Sequence, residues 1–319
     1  MFDVIKQDLE ALEDAMLASV ESSVDLITKM GTHLVESGGK RLRPALYFLA
    51  LHSGKKADIG QAMPLAVALE MIHMASLVHD DVIDSAGVRR GAPTANARWG
   101  NQAAILGGDY LFAKAFSLVA ENDYDKRVTR RLATLICDLS AGEIIQNKEI
   151  YKASRDEAEY YERIAKKTAN FLAVCCELGG IVAGLPEEEV TALYEYGKSL
   201  GMAFQITDDL LDLTAESDVI GKPAGNDILQ GIVTLPVIRA LEVSPEAAAL
   251  EKIVTCPSMS SEMLAQALEF VKATDGLDYA QAKVDEYLSA ACTVLPESLP
   301  EEIREAYLLA TDYVRSRKY

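Results

Sequence analysis

A chain of 319 residues is long enough for one large domain or two ordinary ones, and half of it is hydrophobic, so a sizeable core can form. With 49 acidic against 31 basic residues the net charge is −18, which argues against nucleic acid and anionic membrane surfaces as main partners. Five cysteines with no C-x-x-C pair read as reduced thiols of a cytoplasmic protein. The acidic, amphipathic amino terminus does not read as a signal peptide. No uninterrupted apolar segment approaches the roughly 18 residues of a spanning helix, so the chain is not expected to be transmembrane.

In order, apolar residues at three- and four-residue steps (Val4, Ile5, Leu9, Leu12, Met16, Leu17, Val20) predict an amphipathic helix over 2–22, and a second helix runs to Val35. Gly38-Gly39-Lys40-Arg41-Leu42-Arg43-Pro44 then leads into the apolar run 45–51. Glycines allow a tight approach to a ligand and a helix start favours anions, so Lys40 and Arg43 are candidate phosphate contacts. A long apolar helix over 62–78 carries His73, two turns before Asp80. By Gly and Pro content, 85–94 is a loop, and its Arg89-Arg90 pair offers planar forks suited to a diphosphate.

Further helices are predicted over 101–120 and 129–147, the latter with Glu143 and Gln146 on one face, and over 157–183, which contains Lys166-Lys167-Thr168. Another over 187–212 passes through Phe204-Gln205. The loop 214–226 includes Gly221-Lys222-Pro223, apolar helix returns over 227–241, and shorter helices follow, broken at Pro257, Gly276 and Pro300. No run of alternating residues asks to be a strand.

Two of these helices end alike. Asp80, Asp81 and Asp84 stand at i, i+1 and i+4, and Asp208, Asp209 and Asp212 repeat the spacing. Such carboxylates crowd one side of a helix and repel one another. A solvated acidic helix end would explain one copy. Two copies beside apolar neighbours ask for cations, and magnesium is typically held by one or two carboxylates together with substrate phosphates. The economical architecture is one all-α domain, 1–319, a helical bundle with the two clusters on facing helices around a central cavity.

Taken together, Gly38 to Pro44, Glu70 to Asp84, Arg89-Arg90-Gly91, Lys167-Thr168, Phe204-Gln205-Ile206-Thr207-Asp208-Asp209 and Gly221-Lys222-Pro223 resemble the trans-isoprenyl diphosphate synthases, in that family's order and spacing. The resemblance spans nearly the whole chain and implies the isoprenoid synthase fold and a head-to-tail condensation of isopentenyl diphosphate onto an allylic diphosphate. It further implies that Asp80, Asp81, Asp84, Asp208, Asp209 and Asp212 hold three Mg2+ ions. Lys40, Arg43, His73 and Arg90 match the isopentenyl diphosphate pocket, while Arg89, Lys167, Gln205 and Lys222 match contacts nearer the allylic diphosphate, and Thr168 is a further substrate-binding residue. Family members work as homodimers or as heterodimers with a small subunit.

Two departures from the family pattern bear on function. Where many members read Gly-Lys-x-Thr-Leu-Pro, this chain has Gly231-Ile232-Val233-Thr234-Leu235-Pro236, a feature similar to the catalytic subunits of two-component medium- and long-chain synthases. Short-chain members place Phe or Tyr five residues before the first Asp, whereas here Ala75 and Ser76 are small and Ile72 and Leu69 deeper in the helix are aliphatic. An open passage predicts a C30 to C40 product. The rival readings are a short-chain synthase, a class I terpene cyclase and a noncatalytic subunit; the acidic second cluster and the retention of all six carboxylates disfavour the last two.

Overall fold

The computed structural model describes residues 2–55, 58–214 and 224–317. Helix follows helix: α1 (Lys6–Ser19), α2 (Asp25–Glu36), α3 (Leu42–His52), α4 (Ile59–Ile83), α5 (Ala95–Trp99), α6 (Asn101–Ala120), α7 (Lys126–Glu149), α8 (Glu157–Ile164), α9 (Asn170–Val182), α10 (Glu187–Thr214), α11 (Asn226–Leu229), α12 (Leu235–Val243), α13 (Ala247–Val254), α14 (Ser261–Lys272), α15 (Gly276–Val294) and α16 (Glu301–Arg315). Two compact units emerge. One comprises Met1–Ile136, Val174–Tyr194 and Pro296–Ala306; the other comprises Cys137–Ala173, Glu195–Leu295 and Tyr307–Tyr319.

The first unit is built on α4, which packs against α1, α3 and α6. It is apolar all round, with Leu65 to Ile72, Met74, Ala75 and Val78 buried, as a helix in the middle of a core must be. It is longer at both ends than the apolar run predicts. Asp58 caps its start by accepting from the Gln61 amide at 3.1 Å, and it continues through the first carboxylate cluster to Ile83. Pro64 lies inside it, yet the chain does not break there. The Tyr124 hydroxyl enters the opened turn, accepting from the Leu65 amide at 3.1 Å and donating to the Gln61 carbonyl, so the ladder is bridged rather than lost. Both α4 and α6 carry 18-residue windows of mean hydropathy 1.4, the level of a membrane span; the α4 window is 67% buried and the α6 window 33%.

One expectation fails in this unit. The 85–94 loop contains a short antiparallel pair, Val88–Arg89 with Ala92–Pro93. Its two turn residues, Arg90 and Gly91, both have positive φ (52° and 78°), the backbone of a tight hairpin turn.

In the second unit, two helices expected to be continuous are interrupted. Between α8 and α9 the backbone widens into a π turn, Ala165–Ala169. It is wedged between two glycines. A Cβ on Gly142 would stand 3.0 Å from the Lys167 nitrogen, and one on Gly201 would stand 2.5 Å from Ala169 Cα. The other interruption separates α11 from α12. Gly231 takes φ 76°, its carbonyl accepts from the Tyr151 amide at 2.9 Å, and the Tyr151 ring fills the space a Cβ would need. Pro236 then starts α12 in its first turn.

Candidate active site

Each carboxylate cluster closes the carboxyl end of a long helix. Asp80 and Asp81 lie in the last turn of α4, with Asp84 as its cap. Asp208, Asp209 and Asp212 lie in the last two turns of α10. That end of a helix already carries partial negative charge, so these carboxylates are repelled by one another and by the backbone. Two are also buried, Asp81 and Asp209, each 4% exposed.

In the first unit, Asp81 Oδ1 accepts from Arg89 Nε at 2.8 Å. Arg90 donates through Nη1 to the Gly38 carbonyl, tying the hairpin to the glycine loop. Arg43 Nη1 lies 3.1 Å from His73 Nε2. A guanidinium can only donate, so that nitrogen accepts and the imidazole is neutral with its proton on Nδ1. Burial, then the cations Arg43, Arg90, Arg89 and Arg41, push His73 well below its usual pKa. Lys40 is exposed at the mouth of the loop. A pocket of about 500 Å³, open to solvent, is lined by His73, Met74, Leu77, Asp81, Arg89 and Arg90 among others. Ala75, Ile72 and Leu69 are fully buried in the core beside it, and Ser76 Oγ donates to the His73 carbonyl at 2.9 Å.

Arg41, which sequence reasoning passed over, anchors this loop. It takes a left-handed backbone, φ 48°, and buries its guanidinium against Glu70 Oε1 (2.8 Å), Glu13 (2.6 and 3.0 Å) and the Val35 carbonyl (3.0 Å).

In the second unit, α7, the π turn and α10 converge. Lys167 Nζ pairs with Glu143 Oε2 at 2.7 Å and donates to Gln146 Oε1 at 3.2 Å, which gives a role to two residues whose shared face had none. Thr168 Oγ1 donates to Gln205 Oε1 at 2.7 Å, and Gln205 Nε2 donates to Asp209 Oδ1 at 2.9 Å. The Tyr160 hydroxyl donates to Asp209 Oδ2 at 2.6 Å. Asp208 pairs with Arg317 at 2.7 Å, and that guanidinium lies 4.3 Å over the Phe204 ring. Lys222 lies outside the described residues.

Asp227 was also missed. Its amide donates to Asp212 Oδ2 at 3.0 Å, and burial, then the charges of Asp209 and Asp212, push its carboxyl well above the usual range. Burial likewise pushes Asp209 up to about 6. Carboxyls held away from their charged form by burial and by one another are a site short of positive charge. Among the described residues no three acidic, imidazole or thiol side chains form a ready-made metal cage.

Fold and site thus define an all-α protein with two cation-demanding acidic helix ends, each beside basic groups suited to phosphate. A family model for polyprenyl synthetase matches residues 24–271, and the chain belongs to that family. It is 41% identical over 322 residues to heptaprenyl diphosphate synthase component 2 of Geobacillus stearothermophilus, covering 100% of this chain and 98% of the relative. Among solved structures, heptaprenyl diphosphate synthase from Staphylococcus aureus superposes with TM-score 0.92 at 31% identity, covering 99% of each chain. A polyprenyl synthase from Caulobacter crescentus CB15, complexed with calcium and isoprenyl diphosphate, superposes with TM-score 0.90 at 31% identity over 99% of this chain and 96% of that one.

Proposed function

We propose that this chain is a cytoplasmic prenyltransferase that condenses isopentenyl diphosphate head-to-tail onto an allylic diphosphate, acting as one functional domain and stopping at C30 to C40. The observation that carries the reading is the pair of acidic triads at the negative ends of α4 and α10, each with a buried aspartate. Asp80, Asp81, Asp84, Asp208, Asp209 and Asp212 would hold Mg2+, three ions in all, with Asp227 beside the second set. Bound magnesium supplies the positive charge that lets a diphosphate leave carbon.

The protein's own groups do the rest. Lys40, Arg43, His73 and Arg90 grip isopentenyl diphosphate, and the neutral His73 serves as a hydrogen-bonding group rather than a base. Arg89, Lys167, Thr168, Gln205 and Lys222 orient the allylic diphosphate. No side-chain nucleophile is needed: as the allylic carbon–oxygen bond breaks, the double bond of isopentenyl diphosphate attacks that carbon, and the resulting cation loses a proton to the departing diphosphate. Met74 and Leu77 put apolar side chains into the pocket lined by His73 and Asp81, the kind of surface that shields a reacting cation from water. The limit on product length is assigned to α4, where Ala75 and Ser76 are small and Ile72 and Leu69 are aliphatic rather than aromatic.

The name "component 2" of a close relative supports a heteromer with a small subunit; a homodimer is the other assembly the family resemblance implies. The test is incubation with magnesium, labelled isopentenyl diphosphate and farnesyl diphosphate. Label in an extractable polyprenyl diphosphate is the expected outcome. A cyclised hydrocarbon with isopentenyl diphosphate untouched would reject the assignment.

A further inference from the structure

Arg163 buries a permanent charge directly behind the second carboxylate cluster. The residue is 5% exposed, and a guanidinium never sheds its proton, so its position has to be answered by fixed partners. Three elements supply them. Nη1 pairs with Glu149 at the end of α7. Nη2 donates to the Val233 carbonyl at 2.7 Å, in the bend between α11 and α12. Its Cζ lies 5.5 Å from the ring of Tyr160, the residue whose hydroxyl holds Asp209.

The bend that Arg163 grips leads straight to Asp227. The Ile232 amide donates to the Asp227 carbonyl at 2.8 Å, and the Asp227 amide in turn donates to Asp212 Oδ2 at 3.0 Å. Residue 232 itself is isoleucine and brings no charge. Of the other cations at this cluster, Lys167 is drawn to Glu143 and Arg317 to Asp208. Among the described residues, Arg163 is the one whose charge both Asp209 and Asp227 feel from a fixed, buried point.

We infer that Arg163 is a positioning residue for the allylic diphosphate site: by clamping Glu149, Val233 and the Tyr160 ring together it fixes where Asp209 and Asp227 stand. The inference rests on the reading given under Proposed function. Lysine at this position would keep the charge but not the planar fork that reaches Glu149 and the Val233 carbonyl at once.

The experiment is calorimetric binding of two probes to the full-length chain, followed with circular dichroism. One probe is farnesyl thiodiphosphate with magnesium, an inert mimic of the allylic substrate; the other is isopentenyl diphosphate alone. Arg163→Met should weaken the first by about 10–100-fold, the usual cost of losing an outer-shell partner, and leave the second unchanged. Arg163→Lys should recover part of the loss, and it carries the test if the methionine variant does not fold. Equal loss for both probes, or none in a folded variant, overturns the positioning role. A parent chain that binds neither probe overturns the functional reading and this inference with it.

Discussion

Replacing Arg41 by methionine removes a guanidinium whose side chain is 7% exposed and leaves Glu70, 4% exposed, as an unanswered buried carboxylate. Glu70 Oε1 loses its Arg41 bond, Oε2 has no hydrogen bond to replace it, and the Val35 carbonyl loses a donor. Breaking one side of a buried pair costs about 3–5 kcal/mol. Glu13, 41% exposed on its side chain, is different: Glu13→Gln should cost no more than about 1 kcal/mol. The single tryptophan, Trp99, lies in the same unit with its ring 5.5 Å from His33, so its fluorescence in urea follows this unit's unfolding. In the double variant Arg41→Met/Glu70→Met both charges are gone, and most of the stability should return. A cost below about 1 kcal/mol for Arg41→Met, or a double variant as unstable as the sum of the singles, would refute the buried-anchor reasoning.

Three further outcomes are expected. Asp81→Asn should cut turnover by at least about 10²–10³-fold, the scale for losing a preorganised electrostatic group, as read by isopentenyl diphosphate consumption at saturating magnesium. Ala75→Phe should shorten the product while turnover persists, at a packing cost of about 1–3 kcal/mol because the site is fully buried; thin-layer analysis of the prenyl products decides. His73 is held neutral in the folded chain, so only the unfolded chain takes up its proton as the pH drops below about 6.5. Its contribution is therefore complete above that pH and is lost on acidification, by up to about 1.4 kcal/mol per pH unit. His73→Gln should flatten that part of the stability curve between pH 7.5 and 5.5, and identical curves would contradict it.

Helix periodicity and the two carboxylate repeats were legible in the sequence because both are local: apolar spacing and charge spacing along one helix. What was not legible depends on distant partners. The run 227–241 reads as one apolar helix, and nothing nearby discloses that Gly231 must bend where Tyr151 donates to its carbonyl. The π turn at Lys167 exists because glycines on α7 and α10 let those backbones close on it. Among Lys40, Arg41 and Arg43 the sequence offers three cations; Arg41 is the structural one only because Glu13 and Glu70, 28 and 29 positions away, converge on it. Asp227 and Arg163 carried no repeat or spacing of their own. An arginine four residues before Lys167 on one helical face was the sole hint for the latter.

Product length from the purified chain tests the account most directly. With magnesium, labelled isopentenyl diphosphate and farnesyl diphosphate, elongation should run to C30–C40 and cease when magnesium is chelated. An end point at C15 or C20 would contradict the chain-length role given to Ala75 and Ser76, and label left wholly in isopentenyl diphosphate would show that the chain condenses only together with a small subunit.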